Sequence, residues 1–365
     1  MFDVKARTIL KVKHGSHAYG LNTPESDVDY KGICIEPFDY MISVVNNFEQ
    51  QEHHVSKGYD SDETIFGLFK FTQLALPSNP NVLEIMFVEP EEIEYKNEYG
   101  SKLLSIRDKF LSKKAYWTFG SYSKSQLKRV ERHRKWILNP PELVPTRTEY
   151  GLPEKAEIPK EQQLAAFSAI QKKLDFWNFK DMSEQDKALR LEFSNVMAEL
   201  LAEMSLTSDE QWRAAGRSLG IETNFLEVLE KEKKYKNLQD EYKNYLEWQK
   251  NRNKKRYELE IKCNADPKHC SHLLRLYFEV IDILKGNGLI LKRPKEERQL
   301  LLDVKQGKFG KETYAEVIKL QQELEIKLND ALLNSKIPEK PDYNFIDNFM
   351  REMYVEYWKN EDKVL

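Results

Sequence analysis

Asp27 and Asp29 stand one residue apart, behind a loop that begins Gly15-Ser16 and ahead of a β-prone stretch. On an extended strand residues i and i+2 project from the same face, so both carboxylates point the same way. Carboxylates held that close repel one another unless a cation lies between them. Mg²⁺ binds through one or two carboxylates together with phosphate oxygens and water. Gly-Ser directly after a strand lets backbone N–H groups approach phosphate oxygens, and the Ser16 hydroxyl adds a donor. Each half of this arrangement is common alone. Without the loop, the aspartates read equally well as solvated acids at a strand edge, and Ser16 as a turn residue. Together, about a dozen residues apart, they describe a place where metal and phosphate meet.

The surrounding pattern is an α/β beginning. Thr8 to Lys13 and Asp29 to Ile35 read as strands, and the loop between them is rich in Gly, Ser, Asn and Pro. From Ile65 the spacing of Phe66, Phe69, Leu74 and Leu76 is helical, until Pro77 to Pro80 breaks it. Val82 to Pro90 follows as a strand or short helix. Beyond Leu103 the chain reads almost entirely helical. Pro140, Pro141, Pro145, Pro153 and Pro159 mark an exposed excursion or linker. Residues 161 to 262 read as solvated amphipathic helices. The last helix is expected over Lys311 to Asn334, with Tyr314, Val317, Ile318, Leu324 and Leu328 facing the core.

The fold class expected is thus α/β (α+β): a small mixed β-sheet core over residues 1–110 and a large α-helical region over 111–365. The Pro-rich and charged excursion lies at about 139–250. A net charge of -3 on 365 residues argues against nonspecific coating of nucleic acid, though a local basic face is compatible with it. Cys34, Cys263 and Cys270 are too few for a disulfide framework and fit a reducing compartment. No run of about 18 apolar residues and no signal-peptide core occur, so no membrane span and a cytoplasmic address are expected.

The segment HGSHAYGLNTPESDVDYKG, His14 to Gly32, resembles the nucleotidyltransferase signature of the DNA polymerase beta superfamily. Gly15-Ser16-His17-Ala18-Tyr19-Gly20-Leu21, Pro24, Ser26-Asp27-Val28-Asp29 and Gly32 look like one branch of it. That branch comprises nucleotidyltransferases of bacteria and large phages, associated in some genomes with RNA ligases. Asn79-Pro80-Asn81 with Glu84 resembles its NPN-x-x-E block, and Arg252-Asn253, Arg256 and Leu259-Glu260 its second block. Lys268-His269, His272-Leu273 and Arg275-Leu276 resemble its third block. Ile337-Pro338 and Pro341-Asp342 resemble its closing segment. Residues 140 to 245 add nothing. Asn264-Ala265-Asp266-Pro267 stands where the branch has Gly-Tyr-Asp, and Cys270-Ser271 replaces Ala and an apolar residue.

The resemblance implies transfer of a nucleoside monophosphate from an NTP, ATP by expectation, to an acceptor hydroxyl with release of pyrophosphate. Mg²⁺ or Mn²⁺ would be the cofactor. A third carboxylate is expected from a neighbouring strand; Asp60, Asp62 and Glu63 are candidates, and alignment of Thr64 to Lys70 favours Asp62. Asp27, Asp29 and Asp62 are therefore the expected catalytic residues and metal ligands. Gly15, Ser16 and Ser26 are expected to hold phosphate, while Lys268, His272 and Arg275, sharing one helical face, would reach the triphosphate. An ordinary polar helix face is the plainer reading of those three. The acceptor is an RNA end or, as in some small relatives, a protein hydroxyl. A non-catalytic nucleotide- or RNA-binding protein is the third reading, and the intact acidic pair argues against it.

Other motifs read more plainly. Asn79-Pro80 is expected to stop a helix, His53, His54 and His133 to lie on the surface, and QLKRVERHRK to be a solvated or nucleic-acid-facing basic helix. Cys263, His269, Cys270 and His272 fit no familiar zinc spacing.

Overall fold

The computed structural model describes residues 2–24, 26–54, 61–177 and 208–361. It holds a five-stranded mixed sheet followed by helices. The strands are β1 (Thr8–His14), β2 (Asp29–Cys34), β3 (Gln50–His54), β4 (Asp62–Gly67) and β5 (Ile93–Lys96), ordered β3-β4-β2-β1-β5. β2 and β4 run parallel and the other pairs antiparallel. The helices of the first half are α1 (Phe38–Ile42), α2 (Leu68–Ala75), α3 (Pro80–Leu83), α4 (Glu98–Ser105), α5 (Lys114–Leu138) and α6 (Lys160–Trp177). After them come α7 (Ser208–Ser218), α8 (Thr223–Lys250), α9 (Lys254–Cys263), α10 (Pro267–Lys285), α11 (Lys295–Lys305), α12 (Thr313–Leu333) and α13 (Tyr343–Glu361).

The chain divides into two compact units: Met1–Pro140 with Asn253–Leu365, and Pro141–Arg252. In the first, Ile9, Leu10, Val12, Ile33, Ile35, Leu68 and Phe71 form one core with Leu273, Leu274, Leu276 and Val280 of α10. The helix α10 is buried along most of its length, as its long apolar stripe requires. The second unit has its own small core of Ile158, Ile170, Trp212, Ala215, Leu226 and Leu229. There Arg147 forks onto Glu232, with Nη1 2.9 Å from Oε2.

Several expectations change. Helical spacing began at Ile65 in the sequence, but Asp62–Gly67 is a strand whose last half is buried. A short central strand next to a parallel neighbour carries a continuous apolar run, which periodicity alone cannot separate from a helix. The helix begins at Leu68, where the buried Glu36 carboxylate accepts the Leu68 and Phe69 N–H groups at 3.1 and 3.3 Å. Of the two readings of Val82 to Pro90, the short helix is the one found at its start: α3 continues into a 3₁₀ turn, Glu84–Met86. The helix expected at Lys311 to Asn334 is Thr313–Leu333, with Val317, Leu324 and Leu328 buried. It is not the last. α13 follows, buries Ile346, Met350, Met353 and Tyr354, and donates from Tyr354 to Glu36 at 2.7 Å. Among the described residues no helix is long and apolar enough to cross a membrane.

Candidate active site

β1 ends opposite the start of β2, with His14 paired to Asp29. The loop between them therefore leaves and re-enters the sheet at one edge, which brings Gly15 against Asp29. Three backbone bonds fold the loop on itself: Tyr19 N to Gly15 O at 3.3 Å, Gly20 N to His17 O at 3.0 Å and Leu21 N to Ser16 O at 2.8 Å. Ser26 Oγ accepts the Thr23 N–H at 2.9 Å, which shapes the turn just before Asp27. Gly15 is in the left-handed region, φ +62, and a Cβ there would stand 2.5 Å from Asp29 Oδ2. Only glycine fits so close to that oxygen. Gly15→Ala is expected to cost about 1 kcal/mol or more of stability and to lower activity by displacing Asp29. Thermal unfolding with initial rates checks this, and an alanine variant matching wild type in both would detach the loop from Asp29.

A cavity of about 390 Å³ opens here, lined by Gly15, Ser16, Ser26, Asp27 and Asp29 from the loop side and by Lys268, His272 and Arg275 from α10. Tyr19, His269 and Lys305 also face it. The side chains expected to act together thus meet across a sequence gap of some 240 residues, with the exception of Asp62. That residue opens β4, and the parallel register pairs Tyr30 with Glu63, which sets Asp62 beside Asp29 on the same face. Glu63 is instead ion-paired to Lys11, and Asp60 lies outside the described residues. Asp62 is exposed and does not line the cavity.

The charges explain what the site accommodates. Burial pushes the Asp29 carboxyl up from its ordinary value, the neighbouring Asp27 charge pushes it further, and Asp62 adds to this against the pull of Lys268 and Lys31. A carboxyl that resists ionisation beside other acidic oxygens fits a divalent cation. With the Asp62 carboxylate alongside, Asp27 and Asp29 are the residues that would hold it.

Beneath the cavity lies a buried ionic network that spacing did not reveal. Arg275 donates from Nη1 to Glu84 Oε1 at 3.0 Å and to Glu279, and its guanidinium carbon sits 3.6 Å from the Tyr19 ring centroid. Tyr19 donates its hydroxyl to Glu84, and His14 Nε2 lies 3.1 Å from Glu84 Oε2. Glu84 and Glu279 are fully buried, Arg275 nearly so. Burial alone would raise the Glu84 carboxyl, but Arg275 and the neighbouring His14 hold it well below the carboxylate range. Glu279 moves the other way, raised by burial beyond what Arg275 can offset. Arg275 therefore gives its Nη1 donors to buried carboxylates while also lining the cavity. Besides the phosphate contact expected of it, it has a positioning role, in which it seats α10 against Tyr19 and the loop.

The NPN-x-x-E block serves the same network. Asn79 caps α3 through the Asn81 N–H at 3.1 Å, Pro80 occupies its first turn, and Glu84 emerges one turn later. Asn81 O accepts from Lys31 Nζ at 2.7 Å. Lys31 is two residues beyond Asp29 on the same strand face, and burial lowers its ammonium to about 8. The i, i+2 spacing that joins Asp27 to Asp29 reaches Lys31 as well.

His272 is held neutral, lowered to about 3 by burial and by Arg275. Its Nε2 is buried without a hydrogen-bond partner among the described residues. His269 is likewise lowered to about 3, first by burial, and its Nδ1 faces Gln126 Oε1 at 3.0 Å. His133, expected on the surface, is buried on α5 with Nδ1 2.9 Å from Asp266 Oδ2. His133, Asp266 and His269 have ligand atoms within 4.8 Å of one another. Arg256, however, already donates to both Asp266 oxygens, at 3.2 and 2.9 Å. Asp266 also caps α10 through the His269 N–H. A guanidinium is the cation this carboxylate was built for. Cys263 instead points at Gly307 O, so the cysteine–histidine set forms no metal group among the described residues.

Residues 3–138 match the model of a family described as the RNA repair pathway DNA polymerase beta family. The chain is also similar to an uncharacterized 38.9 kDa protein of Enterobacteria phage T4, with 23% identity over 96% of this chain and 98% of the phage protein. No solved structure matches it.

Proposed function

We propose that this protein, whose residues 3–138 match the model of the RNA repair pathway DNA polymerase beta family, is a metal-dependent nucleotidyltransferase that moves a nucleoside monophosphate from an NTP to an RNA hydroxyl. The observation that carries this reading is the shared cavity: Asp29 opening β2 and Asp27 in the loop just before it, a glycine-tight turn beside them and Lys268 opposite. In the reaction the acceptor oxygen bonds to the α-phosphorus, the bond to the bridging oxygen breaks, and pyrophosphate leaves with the electron pair. The hydroxyl proton passes to water. Mg²⁺ or Mn²⁺ bound by Asp27, Asp29 and Asp62 would neutralise the developing charge and lower the acceptor's resistance to losing its proton.

The protein's own part is positioning. Gly15 and Ser16 present the loop to phosphate, and Ser26 sets the turn that aims Asp27. Lys268, exposed on the first turn of α10 with no ion-pair partner among the described residues, faces the phosphates. The neutral His272 offers its unpartnered Nε2 to a substrate oxygen. RNA as acceptor is supported by the family's description and by Arg129, exposed on α5 and near enough to depress both His269 and His272.

NTP binding is expected to need the divalent ion, because Asp27 and Asp29 repel a bare triphosphate. Calorimetric titration of ATP with Mg²⁺ and with EDTA tests this: affinity is expected to drop at least about tenfold without metal. Equal affinities would remove the metal-centred reading.

A further inference from the structure

Three cationic side chains line the cavity: Lys268, Arg275 and Lys305. The charge of Arg275 is balanced by Glu84 and Glu279 through its Nη1, and the two histidines beside it are neutral. The mobile positive charge of the cavity is therefore carried by Lys268 and Lys305. Among the described residues neither has a carboxylate within ion-pair distance.

Lys305 is the last residue of α11. It is half-buried and donates from Nζ to the Leu21 carbonyl at 2.7 Å. Leu21 is itself bonded back to Ser16, so this ammonium grips the far end of the loop that Gly15 begins. An ammonium has three donors, and Leu21 takes one. Burial and the charge of Lys268 both disfavour its charged form, and Asp27 favours it. Two ammonium groups facing one small cavity repel one another, and the arrangement makes physical sense when a polyanion enters between them.

Resting on the nucleotidyltransferase reading above, we propose that Lys305 is a catalytic residue that binds the pyrophosphate end of the NTP together with Lys268, held in place by the Leu21 carbonyl. As the bond from the α-phosphorus to the bridging oxygen breaks, the departing pyrophosphate gains charge, and Lys305 offsets it. The residue lies far outside the matched residues 3–138, and no motif in the sequence marks it.

The test uses the full chain with Mg²⁺ and two probes, ATP and inorganic tripolyphosphate. Lys305→Gln keeps an N–H donor for Leu21 and removes the charge; Lys305→Arg keeps both. The Gln variant is expected to bind each probe roughly tenfold to a hundredfold more weakly, with a shallower dependence of affinity on salt. The Arg variant is expected to recover most of the loss, and both variants to unfold near the wild-type temperature. A Gln variant with wild-type affinity and salt dependence overturns the assignment to Lys305. So does an affinity loss with unchanged salt dependence, which would make Lys305 a tether only. Wild-type protein that binds neither probe would instead overturn the reading on which the assignment rests.

Discussion

Asp29→Ala is expected to lower nucleotidyl transfer on the order of a thousandfold or more while leaving the fold intact. Asp29 sits at the entrance of β2, half-buried, with one oxygen pressed against Gly15. Its removal opens no core cavity. The direction of the stability change follows from its raised carboxyl. A group whose folded pKa lies above its unfolded value contributes stability at low pH and loses it as pH rises through the folded value. At neutral pH Asp29 is therefore a burden on the fold in metal-free buffer, made by burial and by the Asp27 charge. The alanine variant should unfold at the same temperature as wild type or slightly higher at pH 7, with the advantage fading as pH falls towards the ordinary value of 3.8. Single-turnover rates with thermal unfolding at two pH values measure both effects. A variant that unfolds at pH 7 would make Asp29 a structural residue.

Arg275→Met should do the opposite, costing stability first. The guanidinium lies between two fully buried carboxylates, Glu84 and Glu279, 191 and 4 residues away. Taking away the cation leaves at least one buried carboxylate without its partner, a change worth about 3–5 kcal/mol. Methionine fills much of the volume, so the loss reports charge rather than a cavity. Lys268→Gln is the contrast. Lys268 is exposed and has no ion pair among the described residues, so its unfolding should shift by less than about 0.5 kcal/mol. Nucleotide affinity is expected to fall in both variants, through a disturbed loop in one and a lost phosphate contact in the other. Chemical denaturation separates them. An Arg275→Met protein as stable as wild type would place the guanidinium in the binding site after all.

What the sequence made legible was whatever short spacing encodes. Strand alternation put Asp27 and Asp29 together, and both line the cavity although β2 begins only at Asp29; Lys268, His272 and Arg275 share a face because a helix repeats every 3.6 residues. Those rules say where a side chain points, not what it meets. For Arg275 the i+4 partner Glu279 can be read from spacing, but only folding brings Glu84 beneath it. His133 looked exposed on a basic helix for the same reason, since its partner Asp266 is 133 residues away. β4 is hard to read because a six-residue strand, buried only over its last half and ending in Gly67, passes straight into α2. Lys305 has no local signature at all: a lysine ending an amphipathic helix is ordinary until the Leu21 carbonyl is found above it.

The central claim is that this cavity transfers a nucleoside monophosphate. Its most direct test follows the phosphorus: wild-type protein is incubated with Mg²⁺ or Mn²⁺ and RNA, using each NTP labelled in turn on the α- or γ-phosphate. The account predicts that α-label becomes bound to RNA, that γ-label is released as pyrophosphate, and that Asp29→Ala does neither. Transfer of γ-label to the acceptor, or α-label incorporation that survives Asp29→Ala, would contradict it.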